Sequence, residues 1–184
     1  MEEAEFRITV HMVISLDGFI AKKDNSIAWF ESTCNYENGI DAPNSVEFLK
    51  SIDCYLMGSN TYEFATTLSK EHGWPYGNTP TIVLTSKNLK SDLKNIEFFS
   101  GDLNKMVETK LKPSYKKIWV VGGANVASEF INNNLADEIH ISILPIILGE
   151  GISIFNGLLK EQKLNLINAC TYKNGLVELR YHLL

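Results

Sequence analysis

Three stretches of this chain end an apolar, strand-like run in residues suited to holding a phosphate. In Ile118–Phe130, IWVVGGANVASEF, Gly122 and Gly123 separate β-branched residues from a segment of helical spacing. Glycine has no Cβ, so the backbone can turn sharply there and a ligand can approach it closely. A helix starting near Ala124 or Asn125 and running past Val126 leaves its first N–H groups unpaired, with the positive end of the dipole behind them. Such a terminus is a ready phosphate or pyrophosphate site. Gly58-Ser59-Asn60-Thr61 follows the short apolar run Asp53–Met57 and repeats the strand–glycine–helix order. The third stretch, Thr81–Lys87, ends in the hydroxyls of Thr85 and Ser86 and the ammonium of Lys87. The Gly-Gly turn alone matches neither GxGxxG nor the P-loop pattern, and an ordinary strand end explains it equally well. Three such ends on one sheet edge are a stronger signal, because ligands of open α/β sheets bind beyond the carboxyl ends of the strands. A dinucleotide has the length and charge for such an edge.

Other chemistries find little support. His11, His72, His140 and His182 are scattered, with no HExxH and no Cys/His cluster, so no metal site is expected. There is no GxSxG. His11 lies inside a strand-like run, where a histidine more often completes a core than catalyses. Asp17, Asp24 and Asp41 fall in loops, where a carboxylate commonly stabilises a turn. Cys34, Cys54 and Cys170 form no CxxC pair, which fits a reducing, cytoplasmic compartment. The formal net charge of -5 gives no electrostatic case for nucleic acid or an anionic membrane. An anionic small molecule needs only a local positive site. No apolar run reaches the ~18 residues of a membrane span. The N-terminal MEEAEF lacks the apolar stretch of a signal peptide.

The elements that must position these residues are legible in outline. With 184 residues, one domain over 1–184 is expected. Phe6–Ser15 is nearly continuous in apolar character, as a strand covered on both faces would be. Further strands are expected at Asp53–Met57, Thr81–Ser86, Asn95–Phe99, Lys116–Val121 and Ala136–Pro145, with a short extended piece at Phe19–Ala21. Helices are expected from Pro43-Asn44-Ser45 to Lys50, after Gly58, over Asp102–Leu111 with Pro113 just beyond, and after Gly123. Lys173-Asn174-Gly175 between the alternating runs Lys163–Thr171 and Leu176–Leu184 signals a hairpin. Alternating strands and helices imply a mostly parallel sheet with helices on both faces. The hairpin adds an antiparallel pair.

The order of motifs resembles the dihydrofolate reductase superfamily, and within it the branch holding the reductase domain of bacterial riboflavin biosynthesis. The matching pieces are SLDGFIA at Ser15–Ala21, LMGSNTYE at Leu56–Glu63, VLTSK at Val83–Lys87, VVGGANVASEF at Val120–Phe130 and DEIHISILPIILGEGISIF at Asp137–Phe155. The resemblance implies a mixed sheet of about eight strands and NADPH as hydride donor. By position, it implies that Gly58 and Thr61 hold the pyrophosphate side of the cofactor. It places Thr85, Ser86 and Lys87 near the adenosine ribose and its 2′-phosphate. Gly122, Gly123, Ala124, Asn125 and Val126 match the helix start under the pyrophosphate, and Asp17 and Gly18 match the loop bordering nicotinamide and substrate. Two positions depart from dihydrofolate reductases. Ser45, with Glu47 two residues on, stands where those enzymes carry an acid that promotes pterin protonation. Ser59 stands where they carry a basic residue, so 2′-phosphate recognition would rest on Lys87 and hydroxyls. The implied reaction is hydride transfer to a C=N or C=O carbon of a heterocyclic substrate, a ribosylaminopyrimidine phosphate by family default. Dihydrofolate reduction, or nucleotide binding without turnover, are the alternatives. A homodimer formed through the C-terminal third is also expected, because Ile139–Leu148 is crowded with branched apolar residues and reductases of this branch are typically dimers.

Overall fold

A computed structural model describes residues 5–41 and 45–184; the side chains of residues 45–47 and 71–72 lie outside that description. Eight strands form one sheet in the order β5-β4-β3-β6-β1-β7-β10-β9. These are β1 (Arg7–Ser15), β3 (Cys54–Gly58), β4 (Thr81–Leu84), β5 (Ile96–Phe99), β6 (Lys117–Gly122), β7 (Glu138–Leu144), β9 (Leu164–Thr171) and β10 (Val177–Leu183). The first six run parallel, and β10 is antiparallel to both β7 and β9. β2 (Phe19–Ala21) pairs with β8 (Ile152–Ser153) in a separate two-stranded sheet. β8 leaves no strand pattern in the sequence, since it is only two residues long and follows Gly149 and Gly151.

Alternation along β1 sorts the two faces. Ile8, Val10, Met12 and Ile14 are buried, against Val126, Ala127, Phe130 and Ile131 of helix α5 (Ala124–Asn132). The same face takes Met106, Val107 and Leu111 from a helical segment built of α3 (Leu103–Met106), a π turn (Val107–Leu111) and α4 (Lys112–Ser114). Asp102 caps this segment by accepting from the Lys105 N–H at 2.8 Å. Pro113 lies inside its last turn rather than beyond it, just after the π turn. The opposite face carries Tyr55, Met57 and Val83, which pack with Tyr62 of α2 (Ser59–His72) and Leu49 of α1 (Ser45–Lys50). The expected helix start at Pro43-Asn44 lies outside the described residues, as does the Ser45 side chain.

The structure corrects one expectation about the C-terminal third. Ile139, Ile141 and Ile143 do share a face, but β7 is no sheet edge; it lies between β1 and β10. Ile139 and Ile141 are buried in the core, which explains the branched run without a partner. The edge belongs to β9, where Leu164, Leu166 and Ile167 are exposed.

Candidate active site

The carboxyl ends of β4, β3, β6 and β1 are neighbours, so the stretches singled out above lie along one edge. The apolar runs put these strands in the sheet centre. The glycines let the chain leave it at once as helices. α2 starts at the N-cap Gly58 and α5 at the N-cap Gly123, and neither start has a side-chain cap. The first N–H groups of both helices are therefore free for a ligand. The two starts are close neighbours although the helices cover opposite faces. A Cβ on Gly58 would lie 3.0 Å from Val126 Cγ2, and one on Gly123 would lie 3.7 Å from Thr61 Oγ1.

Gly122 and Gly123 play different parts. Gly122 has φ +121, joined to Gly123 by a cis peptide bond, and a Cβ there would meet Met12 Cε at 2.7 Å. The fold itself requires glycine at 122. Gly123 has an ordinary φ of -73, and a Cβ there would make only an ordinary contact, with Thr61 Oγ1 at 3.7 Å. The protein does not fill the cradle between the two helix starts, whereas a side chain at 123 would. That cradle, with its uncapped N–H groups, fits a pyrophosphate. Ala124 and Val126 turn their side chains into the core, so they offer backbone only, while Asn125 is exposed at the rim. Ser59 and Thr61 are half-buried in the first turn of α2.

At the outer side of the edge, the Thr85 hydroxyl accepts from the Lys87 N–H at 3.0 Å and shapes the turn after β4. Ser86 and Lys87 are exposed. Lys87 Nζ is paired with both carboxylate oxygens of Glu63, at 3.0 and 3.2 Å. Sequence reasoning passed over Glu63, which follows Thr61 by two positions.

At the inner side, Asp17 ties two loops together. Its carboxylate accepts from the Ser15 hydroxyl at 2.6 Å and from the N–H groups of Leu148 and Gly149 at 3.1 and 2.7 Å. The Ser15 hydroxyl foremost holds its carboxyl below the usual carboxylate range; desolvation, the next largest effect, opposes it, and the two N–H groups add to the lowering. Gly18 turns with φ +85, and its carbonyl accepts from the Ile154 N–H at 3.0 Å.

Beside β1, on the α1 face, lies a polar group that the histidine spacing did not reveal. His11 stacks on Trp119 at 5.0 Å, and its Nε2 is 3.1 Å from Ser142 Oγ; Nδ1 is buried without a partner. Arg180 Nε donates to His140 Nε2 at 2.6 Å. Glu138, buried, is paired with Arg7 at 2.7 Å. Burial, and then the Arg180 charge, push His11 down to about 4 and His140 to about 3. The only signal in the sequence was alternation, which puts Arg7, Thr9, His11 and Val13 on one face of β1. Among the described residues no cluster of His, Cys, Asp and Glu could hold a metal ion, and no helix is long and apolar enough to cross a membrane.

Known proteins share this fold. A solved structure from Shewanella sp. PV-4, a putative riboflavin biosynthesis protein, superposes with a TM-score of 0.82 at 25% identity, over 97% of this chain and 99% of that one. The dihydrofolate reductase of Enterococcus faecalis, in a complex with NADP(H), shares the fold at a TM-score of 0.56 and 19% identity, over 96% of each chain. The uncharacterized protein YwjB of Bacillus subtilis is 29% identical over 162 residues, 88% of this chain and 90% of that protein. Residues 7–178 match the family model described as the RibD C-terminal domain, and the chain belongs to that family.

Proposed function

We propose that this chain is an NADPH-dependent reductase that transfers a hydride to a C=N or C=O carbon of a heterocyclic substrate of the ribosylaminopyrimidine type, acting as a cytoplasmic homodimer. One observation carries the reading: two uncapped helix N-termini, at Gly58 and Gly123, lie side by side, and a Cβ on Gly123 would meet only Thr61 Oγ1, at 3.7 Å. The family supports the reductase class. NADPH, when bound, supplies the hydride; the chain supplies position and electrostatics.

The N–H groups at the starts of α2 and α5 would hold the pyrophosphate and offset its charge. Thr85, Ser86 and Lys87 would hold the adenosine end. The reacting end would lie toward β1, where Ser15 is buried. Asp17 fixes the loops that border that end, so its role is to position. Ser45 offers no carboxyl at the place where dihydrofolate reductases keep their acid, which disfavours folate reduction. His11 and Ser142 present neutral hydrogen-bonding groups on the adjoining face.

The test is titration of purified protein with NADPH, followed by a screen of aminopyrimidine, pterin and flavin precursors that follows nicotinamide absorbance. Saturable NADPH binding with turnover of one class supports the reading. No NADPH binding overturns it, and binding without turnover of any class favours the binding-protein alternative.

A further inference from the structure

We propose that Glu63 sets how the chain discriminates a 2′-phosphate from a 2′-hydroxyl on the adenosine ribose, by competing for Lys87. The inference rests on the cofactor reading above and deepens it.

Glu63 lies in the first turns of α2, on the helix whose start borders the pyrophosphate cradle. Lys87 lies in the turn that leaves β4, the next strand outward from β3. A dinucleotide with its pyrophosphate between Gly58 and Gly123, and its reacting end toward β1, places its adenosine ribose on the β4 side. The pair is met there. Both Glu63 oxygens contact Lys87 Nζ, at 3.0 and 3.2 Å, with both side chains about half exposed. An ion pair so exposed adds little to folding. Its consequence falls on the ligand.

A 2′-phosphate reaching Lys87 meets an ammonium already matched by the single negative charge of the Glu63 carboxylate. A ribose with a free 2′-hydroxyl meets a carboxylate able to accept its proton in a hydrogen bond, the device that acidic residues use to recognise NADH in other dinucleotide sites. Glu63 thus lowers the preference for NADPH that Lys87 alone would confer. Lys23, another lysine that could meet the phosphate, is itself paired with Glu150 at 2.5 Å. Ser59, at the start of α2, supplies no positive charge.

The experiment measures Kd for NADPH and NADH, and for 2′,5′-ADP and ADP as fragments, with wild type, Glu63→Gln and Lys87→Ala. Glu63→Gln keeps the size and helix preference of the side chain, and circular dichroism confirms its fold. The expected result is that Glu63→Gln raises the NADPH-to-NADH preference about fivefold, near the most that one exposed charge pair supports. The fragments should follow, and the gain should shrink in high salt. Lys87→Ala should lower the preference. Binding of both cofactors with the same preference in wild type and Glu63→Gln overturns the inference and leaves the reductase reading standing. Binding of neither cofactor to wild type overturns both.

Discussion

Gly58 lies under Val126: a Cβ on Gly58 would come within 3.0 Å of Val126 Cγ2, so the glycine lets the two helix starts approach closely. Gly58→Ala forces Val126 and the first turn of α5 to shift by a few tenths of an ångström. Overpacking of this kind costs about 1–2 kcal/mol. The expected result is a lower urea midpoint at unchanged m-value, together with weaker NADPH binding, because the shift spreads the N–H groups of both helices.

Gly123→Val addresses the cradle without that strain. The backbone at 123 is extended and any residue adopts it; the nearest heavy atom to a Cβ is Thr61 Oγ1 at 3.7 Å. The variant should fold as wild type does. NADPH affinity should fall by more than about tenfold, or 1.4 kcal/mol. Unchanged affinity in a folded variant would remove the pyrophosphate from this turn.

Asp17 predicts a pH-dependent loop. Its folded carboxyl titrates below the ordinary value, so its contribution is complete above about pH 4 and is lost as pH falls through the depressed value. The amides of Leu148 and Gly149 should exchange slowly at neutral pH and open in acid. Asp17→Asn should expose the segment after β7 to proteases at every pH. Slow exchange in that variant would show that the carboxylate charge is dispensable.

The buried histidines give a second pH window, of the same sign. His11 and His140 stay neutral in the fold to about 4 and about 3, whereas unfolded imidazole protonates near 6.5. The unfolded chain therefore gains protons first, and stability present above about pH 6.5 declines as pH falls toward 4. Urea midpoints from pH 7.5 to 4.5 should trace the decline. His11→Phe should flatten part of it; an identical slope would mean that His11 is solvated.

The homodimer is expected to use the β9 edge. Leu164, Leu166 and Ile167 are 40%, 55% and 41% exposed on an edge strand, the combination that proteins usually cover. Light scattering should give twice 20.7 kDa. Leu166→Lys should yield a folded monomer, whereas Ile141→Lys should unfold the chain, since Ile141 is 7% exposed and a buried ammonium is costly. A wild-type mass of 20.7 kDa would exclude the dimer.

Local signals carried most of the fold. The strands β1, β3, β4 and β6 are apolar runs closed by glycine or hydroxyl residues, and Asn174-Gly175 marks the turn between β9 and β10. These depend on neighbours in sequence, and sequence displays them. The site was legible where backbone alone makes it, at Gly58 and Gly122–Gly123. It was not legible where side chains meet across long separations. Glu63 and Lys87 are 24 residues apart and Asp17 and Gly149 are 132 apart, so only the strand order brings them together. The branched run in β7 misled for the same reason: it looks alike at an edge or at the centre of a sheet. Burial on both faces is a property of its neighbours.

Trp119 gives the molecule a built-in optical reporter. Its indole N–H donates to the His11 carbonyl at 2.8 Å while its ring lies against the His11 imidazole, three residues before the Gly122 turn. A neutral imidazole leaves indole emission bright, and an imidazolium quenches it. The Trp119 share of the emission, obtained by difference from a Trp119→Phe variant because Trp29 and Trp74 also emit, should thus hold steady through neutral pH and dim as His11 gains its proton near 4. A reduced nicotinamide bound beyond β6 absorbs where indole emits, so energy passing from Trp119 would announce the cofactor without any label.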